Sequence, residues 1–387
     1  MNASSRRKVT ELRREGADIG KDVTILEGAS IIAKKIEIGD GVQIGANSRI
    51  QAIELLLGDD VRIGNNCTFR SEQIRIGEKT LIGESNDIQP HSIFSMGNIS
   101  HIGNKAHIRG RLVSFGDEVF ITDGLRVGGG GRNEPDAQFI VGDRCTMHNN
   151  FINIAKPVTI GNDVGFSPET SLITHGYWQS VLEGYSTSFA PITIHDWVIL
   201  GYRVIVLPGV EIGERTTVGA GSIVTKSLPA RCVAVGVPAR VIKENYPPQP
   251  SAQEQDSIMI NILQTYVEHL IDRKFDVKNI IKMENGILIE IARDNKQNNI
   301  AYFRGPKVPS RVFGDAETIL LTFNTKDAPP NTIIMNLSTL KIIGEINPLV
   351  HDLRDFLRRY GIRFFGYGFF RSLPPQNTFS IKENSKS

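Results

Sequence analysis

The chain has 387 residues, with 44 Lys+Arg against 42 Asp+Glu for a formal charge of +2, 7% aromatics, 37 glycines and three cysteines. This length allows two domains and a sizeable core, while so small a net charge excludes bulk attraction to nucleic acid or an anionic membrane. The cysteines (Cys67, Cys145, Cys232) form no close pair, which argues against a disulfide framework, and no apolar run approaches the ~18 residues that cross a bilayer.

Residues 4–16 read as a short charged helix ending at Gly16. The first residues, MNASSRRKVTELRREG, lack the apolar stretch of a signal peptide, so a reducing cytoplasm is the expected location. From Ile19-Gly20 to Val241-Ile242 the pattern has a period of six, strictest at Ile160, Phe166 and Leu172 and again at Ile194, Leu200, Val206, Ile212, Val218, Val224 and Ala230. Six fits neither a helix nor an alternating strand. It fits a β-solenoid whose short faces each send one aliphatic side chain inward, at about 18 residues per three-faced coil and about ten to twelve coils. Glycine often follows the aliphatic residue, as in Ile38-Gly39, Ile63-Gly64 and Ile160-Gly161, and its access to positive φ accounts for it at corners. The N-terminal helix is expected to cover one open end of the stack.

The beat fails at two places. Val127-Gly-Gly-Gly-Gly-Arg132-Asn-Glu-Pro-Asp136 lacks the Gly-Lys-Ser/Thr ending of a phosphate loop and reads as a flexible loop near an acceptor entrance. Residues 176–190, just after His175, carry Tyr177, Trp178, Tyr185 and Phe189, enough aromatics to wall a ligand or to pack on a neighbouring chain. Tyr246-Pro-Pro-Gln-Pro-Ser-Ala is a linker. Beyond it come helical spacing over 257–272, a hairpin at Asn285-Gly286, strands at 300–304, 318–323, 331–337 and near 340–343, and a helix over 348–360. Arg354, Arg358, Arg359, Arg363 and Arg371 decorate the last helix and tail; with Asp352 and Asp355 among them, and Asp355 placed to pair with Arg359, a solvated face is expected. The predicted organisation is a capping helix (1–18), a solenoid (19–243), a linker (244–256) and a small α+β domain (257–387).

The repeats, above all PVTIGNDVGFSPETSLITHG and APITIHDWVILGYRVIVLPGVEIGERTTVGAGSIVTKSLPARCVAVGVPARVIK, resemble the hexapeptide-repeat acyltransferase superfamily, in its branch that acetylates sugars and xenobiotics. The closing Val224-Thr225-Lys226 and Gly236-Val237-Pro238-Ala239-Arg240 are the most specific part. The resemblance implies a left-handed parallel β-helix, an exception to the usual right-handed crossover, assembled as a homotrimer with acyl-CoA between subunits. It places His175 as catalytic base, since neutral imidazole removes a hydroxyl proton at neutral pH. It places the acceptor near Asn149 or Asn150, amides that both donate and accept, although an asparagine ladder at the corners explains them equally; Tyr177 and Trp178 would line the same site. Gly201, Ala220 and Ser222 match positions that present backbone to pantetheine, and Lys226 and Arg240 match those that meet CoA phosphates.

Two departures stand out: His195 replaces a glycine and is a fallback base, and Trp197 stands two positions early, with Ile199 in its place. The implied function is O-acetyl transfer from acetyl-CoA to a sugar hydroxyl of a polysaccharide or its precursor, with no metal. N-acetylation of an amino sugar is the nearest alternative, and a non-catalytic scaffold the more remote one.

Overall fold

A hexad puts one aliphatic side chain inside every short straight stretch, so the chain closes on itself in coils instead of spreading into an open sheet. The structure, a computed structural model, describes residues 3–176, 179–283, 286–293, 296–304, 308–309, 312, 316–324 and 332–366. The chain divides into two compact units, Met1–Pro248 and Gln249–Ser387.

In the first unit one face is a parallel ladder of two-residue strands, among them Thr24–Ile25, Gln43–Ile44, Arg62–Ile63 and Leu81–Ile82. It has twelve strands among the described residues, the last being the antiparallel return strand Ala239–Lys243. The other two faces join into one eighteen-stranded sheet, because Asp87–Met96 and His107–Phe115 run unbroken around the corner between them. Ile160, Phe166, Leu172, Ile194, Leu200, Val206, Ile212, Val218 and Val224 all point inward and are buried. Each buried side chain of this size contributes about 1.5–3 kcal/mol. Ala230 does not continue the beat: it is exposed, and Leu228 takes the inward place through a bridge to Ile212.

The glycines that follow the aliphatics are there for a different reason from the expected one. Positive φ falls instead on residues such as Asp60 (56°), Arg144 (57°) and Asp163 (57°). A Cβ on Gly39 would lie 2.3 Å from Asp59 Oδ1, and one on Gly161 would lie 2.2 Å from Asp196 Oδ1. Those carboxylates form a corner ladder. Asp59 accepts from Asp40 N (2.8 Å), Asp143 from Asp117 N (2.9 Å), Asn162 from Asp143 N (2.9 Å) and Asp196 from Asn162 N (2.7 Å). The ladder satisfies backbone donors that would otherwise be unpaired at the corners, and only glycine leaves room for it.

The first coil has no preceding coil to receive its carbonyls. Helix α1 (Ala3–Arg14) covers that end: Lys8 Nζ donates to Leu26 O (3.1 Å) and Ala29 O (2.8 Å), Arg13 donates to Ile19 O (2.9 Å), Ser5 Oγ accepts from Ile25 N (2.9 Å), and Val9 enters the core.

In the second unit, helix α2 (Ala252–Asp272) starts at a capping box between Ser251 and Glu254. A six-stranded sheet follows in chain order, Asp276–Met283, Gly286–Arg293, Lys296–Phe303, Glu317–Thr322, Thr332–Asn336 and Lys341–Ile343, and helix α3 spans Pro348–Arg358. The sheet mixes antiparallel and parallel pairs. Asn285 and Arg371 lie outside the described residues. The charged face of α3 is not solvated as expected. Asp352, Arg354 and Asp355 are buried; Asp352 meets Arg273 (2.6 Å) and the Tyr266 hydroxyl (2.9 Å), and Asp355 pairs with its neighbour Arg354 (2.7 Å). Here the charges neutralise each other inside the unit, which leaves fewer of them for a ligand.

No helix among the described residues is long and apolar enough to cross a membrane.

Candidate active site

Coils repeat at intervals of 18 to 20 residues, as at Leu81↔His101 and Ile199↔Thr217, shortening to 16 at the closing step Thr217↔Val233 and lengthening at two others. Phe120 pairs with Thr146, 26 residues on, because 128–137 loops out; Gly165 pairs with Ile199, 34 residues on, because 176–190 does. These are the two interruptions read in the sequence, and they meet at one side chain, Asn153.

The second insertion leaves as the strand His175–Gly176 and returns as Ser188–Phe189, an antiparallel pair that sets His175 opposite Phe189. The two rings stack at 5.6 Å with 15° between planes. On its other side, His175 Nδ1 lies 2.7 Å from Asn153 Oδ1, on the preceding coil. That oxygen also accepts from the Thr174 hydroxyl (2.7 Å) and from the Thr174 N–H (3.4 Å), whose partner atoms are donors, so the amide orientation is fixed with oxygen toward the ring. Thr174 Oγ1 in turn accepts from Lys156 N (3.1 Å). Asn153 and Thr174 are buried, and His175 is half-buried. The network therefore puts the imidazole proton on Nδ1 and leaves Nε2 as the accepting nitrogen, the tautomer that a general base needs.

The first insertion starts beside the same amide. Gly129 has φ +86°, and a Cβ there would stand 2.2 Å from Asn153 Nδ2; a Cβ on Gly130 would stand 2.0 Å from Ile154 O. Two glycines thus let the 128–137 loop leave the solenoid against Asn153, and Lys156 holds its far end through Asp136 (2.5 Å).

Asn153 was missed in the sequence, where Asn149 and Asn150 stood out. Asn150 is fully buried; its Oδ1 accepts from His148 N (2.6 Å) and its Nδ2 donates to Ser167 O (2.9 Å). Asn86 holds another corner in the same way. Asn150 is thus a corner amide with both ends engaged. Asn149 is exposed and accepts from Glu169 N (3.3 Å). Tyr177 and Trp178 lie outside the described residues.

His195 sits at a different corner from His175, exposed, with Nε2 2.6 Å from Glu211 Oε1. Trp197 lies at that corner with φ 62°, under Arg215 (5.3 Å). Gly201 and Ala220 stack in successive turns so closely that a Cβ on Gly201 would be 2.6 Å from Ala220 N. Ser222 is buried and its hydroxyl accepts from Gly236 N (3.0 Å), so its side chain serves the closing hairpin. Lys226 and Arg240 are exposed, the latter donating to Ala239 O (3.0 Å). Gly201 and Ala220 precede the paired strands Ile205–Val206 and Ile223–Val224, whereas His175 follows Ser171–Leu172 on the same ladder. His175 and this turn therefore lie at opposite edges of one face. Among the described residues, no group of three His, Cys, Asp or Glu side chains is placed to hold a metal ion.

The family described as "Hexapeptide repeat of succinyl-transferase" matches residues 35–69 and 191–226. Over these two stretches the solenoid carries the hexapeptide repeat that this family model describes. Galactoside O-acetyltransferase of Escherichia coli (strain K12) is 40% identical over 121 residues, 29% of this chain and 59% of that protein. Galactoside O-acetyltransferase of Lactococcus lactis subsp. lactis is 38% identical over 86 residues, 22% of this chain and 42% of that protein. The chain thus spans about half the length of these curated relatives. Among solved structures, a hexapeptide-repeat-containing acetyltransferase of Vibrio cholerae, in complex with acetyl coenzyme A, shares 23% identity over 37% of this chain and 70% of that one, at a TM-score of 0.23. In this hexapeptide-repeat chain the matched stretches stop short of the second unit.

Proposed function

We propose that the chain is an acetyl-CoA-dependent O-acetyltransferase acting on a sugar hydroxyl, with His175 as general base. The observation that carries this reading is the 2.7 Å contact from His175 Nδ1 to the buried, orientation-locked Asn153 Oδ1. Nε2 removes the acceptor O–H proton as that oxygen attacks the thioester carbonyl carbon. The tetrahedral oxyanion then collapses, the C–S bond breaks, and the imidazolium returns its proton to the departing thiolate. When protonated, the ring is also stabilised by the amide oxygen on Nδ1.

The Gly201–Ala220 turn, with Lys226 and Arg240 beyond it, is the candidate surface for the pantetheine arm and its phosphates. Because that turn and His175 lie at opposite edges of one face, the donor must bridge a base from one subunit and a turn from the next. A homotrimer is the assembly that goes with this. Support comes from the 176–190 hairpin, whose tip exposes Leu182 (94%), Val181 (57%) and Tyr185 (50%), a patch suited to covering by another copy. A cytoplasmic location follows from the donor, which is a cytoplasmic metabolite.

The test is thiol release from acetyl-CoA against a panel of sugars, with alkaline hydrolysis of the product to separate ester from amide. His175→Ala is expected to lower turnover at least a hundredfold at unchanged fold. Retained turnover in that variant, or an alkali-stable product, would overturn the reading.

A further inference from the structure

Asn153 stands at one end of a column of outward side chains. The registers Gln51↔Arg70, Gln89↔Arg109 and Gly128↔Asn153, joined through Phe69↔Ile88 and Ile108↔Val127, place these residues one above another on a single face. At ~4.8 Å per coil, Arg109 lies about 10 Å and Arg70 about 19 Å from Asn153. The loop that leaves the solenoid at Gly129, against Asn153, carries Arg132 back along this column. Arg132 and Arg70 both line a hollow of about 380 Å³, together with Gln51, Ser71, Glu72 and His91.

The polar atoms of this hollow are incompletely satisfied. Arg132 Nε and Ser71 Oγ are buried without a hydrogen-bond partner among the described residues. A buried unpaired donor is costly, more so when charged, so such groups mark a place where something is bound. Burial, and then the nearby Arg70 and Arg109, hold the Arg132 guanidinium below its usual range. One carboxylate, Glu72, lines the hollow itself, and Asp87 lies outside its lining. Asp87 is held by Arg109 and Gln89, and Glu72 pairs with His91 at 3.8 Å. Arg70 has no carboxylate within ion-pair distance among the described residues. Two guanidiniums sharing one hollow are the arrangement that receives an oxyanion.

We propose that the Arg70–Arg132 hollow holds a carboxylate or phosphate of the acceptor, so that the acceptor is an acidic oligosaccharide lying along the column from His175. This deepens the transfer reading and rests on it. The distance argues for an oligomer, since a single sugar cannot reach across about four coils. The anion supplies the missing acceptor for Arg132 Nε–H, while the hydroxyl to be acetylated sits near Nε2 of His175.

The full chain is titrated by calorimetry with a glucuronate oligosaccharide, a glucose oligosaccharide of equal length, inorganic phosphate and coenzyme A. The expected result is at least tenfold tighter binding of the glucuronate oligomer than of the glucose oligomer, reduced at least tenfold in both Arg70→Gln and Arg132→Gln at unchanged coenzyme A affinity. Arg70 is exposed, so its variant retains the fold, and thermal melts verify this for both. Displacement of the glucuronate oligomer by inorganic phosphate upholds a general oxyanion site; failure to displace it upholds a carboxylate site. Equal binding of the charged and neutral oligomers, no binding of the charged one, or a preference intact in both variants overturns the proposal. So does an equal loss of coenzyme A affinity, which would give the hollow to the donor's phosphates. His175→Ala separates the two readings. If it is inactive yet no charge preference exists, the anion site alone falls; if it is fully active with the preference present, the base alone falls.

Discussion

His175 Nδ1 and Asn153 Oδ1 are 2.7 Å apart on successive coils, and the same oxygen receives both the hydroxyl and the N–H of Thr174. One buried amide therefore sets the tautomer of the ring and closes the inner wall of the candidate site.

On the proposed reading Asn153 positions the His175 ring, and its variants separate orientation from mere packing. Asn153→Ala is expected to lower kcat about 10–100-fold with acceptor KM little changed, and to cost about 1–3 kcal/mol of stability through loss of the Oδ1 acceptor, which leaves the Thr174 hydroxyl only the residue-153 carbonyl at 3.1 Å. Asn153→Asp puts a carboxylate on Nδ1, which favours the imidazolium. The acid limb of the pH–rate profile should move up by about one unit or more, with rate recovering at higher pH. An unmoved profile in the aspartate variant would show that the contact does not govern the base.

Gly129 and Gly184 give a matched pair. Both have left-handed φ, +86° and +87°, but a Cβ on Gly129 meets Asn153 Nδ2 at 2.2 Å while one on Gly184 meets nothing within 4 Å. Each alanine variant bears the strain of the left-handed backbone, about 1 kcal/mol. Only Gly129→Ala should also displace the amide and lower kcat, by about tenfold or more. Thermal melts and steady-state kinetics on the two variants test this, and equal kcat in both would remove the link between the loop and the base.

The solenoid was legible because the hexad is a direct record of burial: Ile160 to Val224 are inward side chains, one per face. His175 stands out in the sequence because it adjoins the larger break in the rhythm. Asn153 does not, since its distance from His175 of 22 residues is a whole coil plus the stretch that carries the chain past the strand Ser171–Leu172. Counting back one nominal coil of 18 residues from His175 reaches Pro157, short of Asn153. The glycines were read correctly as corner residues for an incorrect reason, because close approach of a carboxylate on the next coil cannot be seen in one coil's sequence. Likewise Asp352 of α3 looked solvated because its partners Arg273 and Tyr266 are far away in the chain.

Asn149 and Asn150 are distinguished by burial. Asn150 is buried with Oδ1 and Nδ2 both engaged by backbone, so Asn150→Ala strands a donor at His148 N, while Ser167 O keeps the Thr170 hydroxyl (2.9 Å). The expected cost is about 1–3 kcal/mol of stability, with kcat/KM at a permissive temperature unchanged. Asn149→Ala, at an exposed position, should leave stability within about 0.5 kcal/mol. Should the Asn150 variant melt normally yet lose activity, its amide belongs to the acceptor and not to the corner.

Cys145 makes stability depend on alkaline pH. Burial pushes its thiol from 9.0 up to about 12, and Sγ donates to Gly161 O at 3.1 Å. The folded state then keeps a proton that the unfolded chain has already released. The stability contribution is therefore whole below pH 9 and is lost as pH rises toward 12, at about 1.4 kcal/mol per unit. Urea melts at pH 8 and pH 10 should differ by roughly that amount more in the wild type than in Cys145→Ser, whose hydroxyl does not titrate in this range. The same burial leaves all three cysteines inaccessible, so a thiol-specific dye should react with none of them until the chain unfolds. Rapid labelling of native protein at pH 8 would show that the coils around Cys67, Cys145 or Cys232 open far more readily than their packing implies.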